Sequence, residues 1–330
     1  MSSSNSIDSA DFAILGAGAI GSILGAHLAQ AGHRVVMLVR ERRAQQIRSD
    51  GLRLKGLVDL KVDVPALTDA AQLKRIGTLI VGMKTLGTAA ALEPLRHIPI
   101  ETVFSIQNGA FKNDTLIEAF GRERVLGSLA DTSGELQQDG AVLFTRNVNL
   151  LIGELQGGLS DRAQRLARAI DDAGVRSTAV PDIVTREWSK FVAWAGSMTM
   201  AVATRVVSWK FTTDPDAALL IARTVREMGA LAHARGVTLS DESILPVNSM
   251  CRGSEQEAAA AVIRKNENMK NTAPMHRVSS LQDFDAGRPL ELDETIGRAL
   301  KEAKALSISM PVLETLYHLD RSLERIRDKK

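Results

Sequence analysis

Short apolar runs punctuated by glycine and polar residues occupy the first half of this 330-residue chain. Residues 12–15 (FAIL), 34–39 (RVVMLV), 79–82 (LIVG), 103–106 (VFSI) and 125–126 (VL) read as buried strands. Residues 19–31 carry apolar side chains at helical spacing and stop at Gly32. Strands alternating with helices predict crossover connections and a mostly parallel sheet. The pattern changes over residues 141–153 (AVLFTRNVNLLIG), where two strand-like pieces flank polar residues, as in a hairpin or edge pair. After Pro181 the strand signals largely vanish. Helices are predicted over residues 186–203, from Pro215 behind an Asp214 cap to Arg235, over 255–265 and 293–305, and from Pro311 onward. Residues 266–271 (NENMKN) read as a polar surface loop. The expected architecture is α/β: a doubly wound Rossmann domain over residues 12–181, then an all-α domain over residues 182–330.

Composition narrows the function classes. With 41 basic against 39 acidic residues and no basic tail, the chain offers nothing to a nucleic acid. Its single cysteine, Cys251, excludes a disulfide framework and a multi-cysteine metal site, and reads as a core thiol of a reducing compartment. The six histidines show no metal-like spacing. Residues 1–11 (MSSSNSIDSAD) lack the basic and apolar regions of a signal peptide and read as a disordered N-terminus. No stretch approaches the roughly 18 apolar residues of a membrane span. A soluble cytoplasmic protein is expected.

The chemistry begins at "GAGAIG", residues 16–21. A G-x-G-x-x-G triplet alone is weak, but here a strand precedes it, a helix follows and a second strand comes soon after. Gly16 permits the tight turn, Gly18 lets backbone approach a pyrophosphate, and Gly21 lets the helix pack on the sheet. Ala17, Ala19 and Ile20 complete the loop, whose N–H groups and helix dipole suit phosphates. An NAD site usually has an acidic residue at the end of the second strand; here that place reads "RERR", starting at Arg40. A guanidinium fork suits a 2′-phosphate and favours NADPH, although Glu41 keeps NAD open.

Four later segments, together with this loop, resemble the ketopantoate reductase family (2-dehydropantoate 2-reductase), of the 6-phosphogluconate dehydrogenase-like group. They are "LIVGMKT" at 79–85, "SIQNG" at 105–109, "REWSKFV" at 186–192 and "SSLQDFDAGRPLELDETIG" at 279–297. The resemblance implies roles. Arg40 binds the 2′-phosphate, Lys84 lies beside the cofactor, and Asn108 sits by the nicotinamide. Lys190 is the catalytic lysine, Ser279 holds the substrate carboxylate, and Glu291 contacts substrate, cofactor and lysine. It also implies NADPH-dependent reduction of 2-dehydropantoate to (R)-pantoate, a step of pantothenate biosynthesis, with a small 2-keto acid as partner, no membrane, and a homodimer by superfamily habit.

The chemistry also stands on the residues. Hydride reaching a ketone carbon leaves charge on oxygen. A lysine ammonium, with a reference pKa of about 10.4, stabilises that charge and protonates it. A nearby carboxylate such as Glu291 keeps it charged. The pattern breaks after the lysine. Where the family carries asparagines four and eight residues on, this chain has Trp194 and Met198, and Thr199 replaces the family proline. A pocket without those amides suits a polyhydroxylated substrate less well. Either Ser197 and Thr199 supply the lost hydrogen bonds, or the substrate is a more apolar 2-keto acid. A non-catalytic NADP(H)-binding regulator is the reading from a different class; retention of Lys190, Ser279 and Glu291 together argues against it.

Overall fold

The structure, a computed structural model, describes residues 8–328. It divides into two compact units: one runs to Asn108 and resumes over residues 112–183, the other joins residues 109–111 to those from Val184 onward.

The first unit is built on a five-stranded parallel sheet of β1 (Ser9–Leu15), β2 (Val35–Leu38), β5 (Ala66–Leu67), β6 (Arg75–Val81) and β7 (Ile100–Ser105), in the order β5-β2-β1-β6-β7. Side chains alternate through it. Phe12, Ile14, Ile80 and Phe104 enter one core, while Ala13, Leu79, Val81 and Val103 enter another on the opposite face. A strand covered on both faces must be apolar at every position, which is why these segments read as unbroken runs.

The first face receives α1 (Ala19–Gln30), buried along nearly its whole length. On its far side lies a second, mixed sheet formed by β3 (Leu52–Gly56), β4 (Leu60–Val62), β8 (Leu126–Leu136), β9 (Val142–Glu154) and β10 (Ser177–Ala179). Ile23, Leu24 and Leu28 of α1 share a core with Leu54, Phe144 and Leu150 of that sheet, backed by α5 (Asp161–Asp172). The helices α2 (Glu41–Asp50), α3 (Thr88–Leu92) and α4 (Lys112–Phe120) complete the unit, the last two supplying Leu92, Leu116 and Phe120 to the second core.

Several sequence expectations are corrected. β1 begins at Ser9, inside the stretch read as disordered, because residues 9–15 pair with β6 and Asp11 bonds Arg34 bidentately. Residues 1–7 of the stretch expected to be disordered lie outside the described residues. The segment over residues 141–153 is one long strand, and its hairpin partner is the upstream β8, which keeps an antiparallel register through two bulges. The residues after Arg40 begin α2, a helix that the sequence pattern did not predict.

The second unit is helical. It comprises α6 (Ile183–Thr204), α7 (Ser208–Thr212), α8 (Pro215–Ala234), α9 (Val247–Arg252), α10 (Glu255–Asn266), α11 (Met269–Thr272), α12 (Ser279–Asp285), α13 (Arg298–Ala305) and α14 (Pro311–Arg327). The expected polar loop at residues 266–271 is only a turn at residues 267–268, between the end of α10 and the start of α11. α6 forms the core, with Val192, Ala193, Ala195, Ala201 and Val202 fully buried. Caps fix the ends: Asp214 accepts from the Ala217 N–H, and Ser254 and Glu257 form a reciprocal capping box. The Glu227 carboxylate of α8 accepts the Val312 and Leu313 N–H groups and so caps α14. Residues 109–111, expected in the first domain, group with the helices because the Phe111 ring packs edge-on against Trp188 and Phe191, at 5.5 and 5.7 Å.

Candidate active site

The glycine loop joins β1 to α1. Gly16 has φ +100°, and a Cβ there would stand 2.6 Å from the Met83 nitrogen, so no other residue fits. At Gly21 a Cβ would meet the Gly16 carbonyl at 2.3 Å, which lets the first turn of α1 close on the loop. Gly18 differs. A Cβ there would have its nearest neighbour, the Gly82 oxygen, at 3.6 Å, an ordinary contact. Nothing in the protein's own packing requires glycine at 18, and the bare backbone there leaves room for a ligand to lie against it. Gly18 is also the N-cap of α1 and offers no side chain to its first-turn N–H groups, which suits an anion. Ala17 is buried beneath the loop, while Ala19 and Ile20 are half-buried on the first turn. These residues fit a dinucleotide pyrophosphate.

Arg40 ends the segment after β2 as the exposed N-cap of α2. The neighbouring Glu41 is turned to its own helix, accepting from Gln45 Nε2 at 2.9 Å and facing Arg48 at 3.6 Å. Arg43, which sequence reasoning left unassigned, is half-buried. It donates to Ser22 Oγ of α1 at 3.1 Å and to the Gly140 carbonyl at 3.0 Å, and burial lowers its pKa. It ties α2 to α1 and fixes the ground on which Arg40 stands. Lys84 is exposed in the loop after β6, the fourth strand of the parallel sheet in chain order.

Asn108 is half-buried and precedes Gly109, where φ of +85° turns the chain. Behind it stands a buried polar network that the sequence did not disclose. Ser105 Oγ donates to Gln107 Oε1 at 2.9 Å, and Gln107 Nε2 donates to Thr88 Oγ1 at 2.7 Å. Lys112 Nζ donates to the carbonyls of Gln107 and Ser128, at 3.1 and 2.5 Å, and Ser128 Oγ to that of Ser105 at 2.7 Å.

The other predicted residues belong to the helical unit. Lys190 is half-buried on α6. Glu291 is buried two residues before a π-helical turn, Asp293–Gly297, whose Gly297 N–H reaches the Leu292 carbonyl. The Glu291 carbonyl accepts the Thr295 hydroxyl. Glu294, on the same turn, has its pKa raised, chiefly by burial, with Asp293 and Glu291 adding to the rise. Ser279 is exposed at the first position of α12.

Trp194 is 9% exposed and lies against Phe191, ring centroids 6.2 Å apart, extending a cluster of Phe111, Trp188 and Phe191. The Arg235 guanidinium stands 5.2 Å from Trp188 and is paired with Glu302 at 2.7 Å. Met198, at 1% exposure, is core, which argues against the substrate contact expected of it. The hydroxyls expected to replace the lost amides turn inward. Thr199 Oγ1 is buried and bonds the carbonyls of Ala195 and Gly196, and Ser197 Oγ faces that of Ala193. Cys251 is half-buried, its thiol pKa raised by burial. Among the described residues no cluster of His, Cys, Asp and Glu could hold a metal, and no helix is long and apolar enough to cross a membrane.

The chain matches the family models described as ketopantoate reductase PanE/ApbA over residues 12–157 and ketopantoate reductase PanE/ApbA C terminal over residues 182–324. The 2-dehydropantoate 2-reductase of Archaeoglobus fulgidus is 30% identical, covering 94% of this chain and 97% of its own length. That of Pyrococcus abyssi is 27% identical, covering 96% and 99%. Among solved structures, a PanE/ApbA family ketopantoate reductase from Ralstonia eutropha superposes with TM-score 0.81 at 24% identity, over 96% of this chain and 99% of its own. A ternary structure of D-mandelate dehydrogenase with NADH and anilino(oxo)acetate gives TM-score 0.81 at 18% identity, over 96% and 99%. Both halves of the chain are thus matched in order and nearly end to end, and the chain belongs to the ketopantoate reductase family of oxidoreductases.

Proposed function

We propose that this oxidoreductase reduces the ketone of a 2-keto acid to the 2-hydroxy acid with NADPH, and that 2-dehydropantoate is the first substrate to test. The observation that carries the reading is a pairing within one chain of this family. A glycine loop left open at Gly18 and followed by exposed Arg40 stands in one unit, and half-buried Lys190 on a core helix stands in the other. Bound NADPH supplies the hydride.

The chain's own residues do the rest. The N–H groups at the start of α1 bind the pyrophosphate, Arg40 the 2′-phosphate, and Lys84 the adenosine end. Asn108 orders the nicotinamide and the substrate, and the Ser279 hydroxyl holds the substrate carboxylate. Lys190 stabilises the charge growing on the ketone oxygen and gives it a proton, while the Glu291 carboxylate favours the charged ammonium beforehand. One hydride and one proton convert the ketone to the alcohol.

A second reading concerns the substrate alone. With Met198 in the core and the Thr199 hydroxyl bonded to its own helix, the Trp194 indole is what the lysine's helix retains in place of the family's amides. That indole suits an apolar or aromatic 2-keto acid; a structural neighbour is named D-mandelate dehydrogenase.

The test follows cofactor oxidation with 2-dehydropantoate, aliphatic 2-keto acids and phenylglyoxylate, with NADPH and NADH side by side. Turnover of none of them overturns the reading. Preference for NADH overturns the role of Arg40, and turnover of the apolar acids alone selects the second substrate. Lys190→Ala is expected to lower the single-turnover rate by at least about a hundredfold while NADPH still binds. A loss of only a few-fold would remove Lys190 as the acid.

A further inference from the structure

We infer that Lys112 is a positioning residue for this active site, acting through Asn108. The inference rests on the reading above, in which Asn108 serves the nicotinamide and substrate.

Lys112 opens α4 and is 8% exposed. Both features count against a lysine. A buried ammonium is costly unless its donors are satisfied, and a cation at a helix N-terminus opposes the dipole. The placement is explained by what the ammonium holds. Its bond to the Gln107 carbonyl, at 3.1 Å, grips the peptide group whose nitrogen belongs to Asn108. Its bond to the Ser128 carbonyl, at 2.5 Å, anchors that grip to β8.

The preceding peptide, between Ile106 and Gln107, is held as well. The Gln107 N–H donates to Ser105 Oγ at 3.2 Å, and the Gln107 side-chain amide is fixed between Ser105 and Thr88. With the Gln107 carbonyl and N–H both bonded, the direction in which the chain enters Asn108 is set. Gly109 then turns away with φ of +85°, and the chain rejoins the first unit at Lys112 itself. Lys112 therefore closes the loop that carries Asn108. A misplacement of about 1 Å in such a loop can cost about a hundredfold in rate.

The experiment is a double-mutant cycle of Lys112→Met and Asn108→Ala on the full chain, using the best substrate from the panel. Lys112→Met is expected to lower kcat by about tenfold to a hundredfold, with KM for NADPH changed by less than about threefold. In the Asn108→Ala background the same change should cost less than about threefold, because the residue through which it acts is gone. An equal loss in both backgrounds overturns the inference, as does an unchanged kcat in Lys112→Met. If Lys112→Met does not fold, Lys112→Arg keeps charge and donors but displaces them, and the same split and coupling are expected; an unchanged kcat there is equally fatal. Failure of the functional reading looks different: the unmutated chain reduces no 2-keto acid, or Asn108→Ala alone is silent.

Discussion

Replacing an amide by an indole alters what a helix can offer a polar ligand. At position 194 the indole has turned to Phe191, and the nearby Ser197 and Thr199 hydroxyls bond carbonyls of their own helix. A substrate hydroxyl desolvated there would lose its water without gaining a partner, a penalty of about 1–3 kcal/mol. Trp194→Asn is therefore expected to raise kcat/KM for 2-dehydropantoate relative to phenylglyoxylate by about tenfold or more. Paired steady-state measurements on the two acids check it, and an unchanged ratio removes Trp194 from substrate choice. The candidate residues stand out in the sequence because each has a distinctive type at a distinctive place: Arg40 at a strand end, Lys190 just before the apolar run of residues 191–195. Lys112 does not. Its importance lies in two backbone carbonyls, Gln107 and Ser128, and a carbonyl has no letter in the sequence. The inward turn of Thr199 was hidden for the same reason.

At the scale of elements, the glycine loop separates two demands that one motif runs together. Gly21 is required by packing, since a methyl group would meet the Gly16 carbonyl at 2.3 Å, whereas Gly18 has room for one. Gly21→Ala is expected to lower the melting temperature sharply. Gly18→Ala should leave melting of the cofactor-free protein within about 2 °C, yet weaken NADPH binding by about tenfold or more. Calorimetric titration beside thermal melts decides this. Unimpaired NADPH binding by Gly18→Ala would show that the loop keeps this glycine for some other reason.

Elements were readable in proportion to the uniformity of their surroundings. β6 and β7, covered on both faces, announce themselves as apolar runs. β8 (LGSLADTSGEL) beyond Leu126 is built largely of small and polar residues, of which only Gly127, Ser128 and Thr132 are buried, so ten residues of strand show no apolar period. α2 was missed because only Ala44 and Ile47 of its ten residues are buried. Its apolar stripe is too thin to show a period.

Across the whole molecule, one buried carboxyl group in each unit responds to pH in the opposite sense. In the first, Glu154 is buried and accepts from Arg162 at 2.7 and 2.6 Å and from Ser160 at 2.6 Å, so its carboxyl is held below its ordinary pKa of 4.5. Its contribution is fully present above that value and is lost only as pH falls through the lower folded one. In the second unit, Asp320 of α14 is 0% exposed, with neither side-chain oxygen hydrogen-bonded, and burial pushes its pKa from 3.8 up to about 8. Here the sign reverses. Between those two values the folded chain keeps a proton that the unfolded chain releases. Stability therefore falls as pH rises, by about 1.4 kcal/mol per pH unit from this group alone, and levels off above pH 8. The helical unit should thus melt at progressively lower temperature from pH 5 to pH 8, while Glu154 gives the first unit no such slope. Asp320→Asn removes the titration but still buries an unsatisfied amide, so its effect belongs to the slope and not to the level. Scanning calorimetry of both chains across pH 5–9 is expected to show curves that lie close at pH 5 and separate by at least about 4 °C at pH 8, the variant higher. Parallel curves would mean that Asp320 finds a partner in solution and holds its charge when folded.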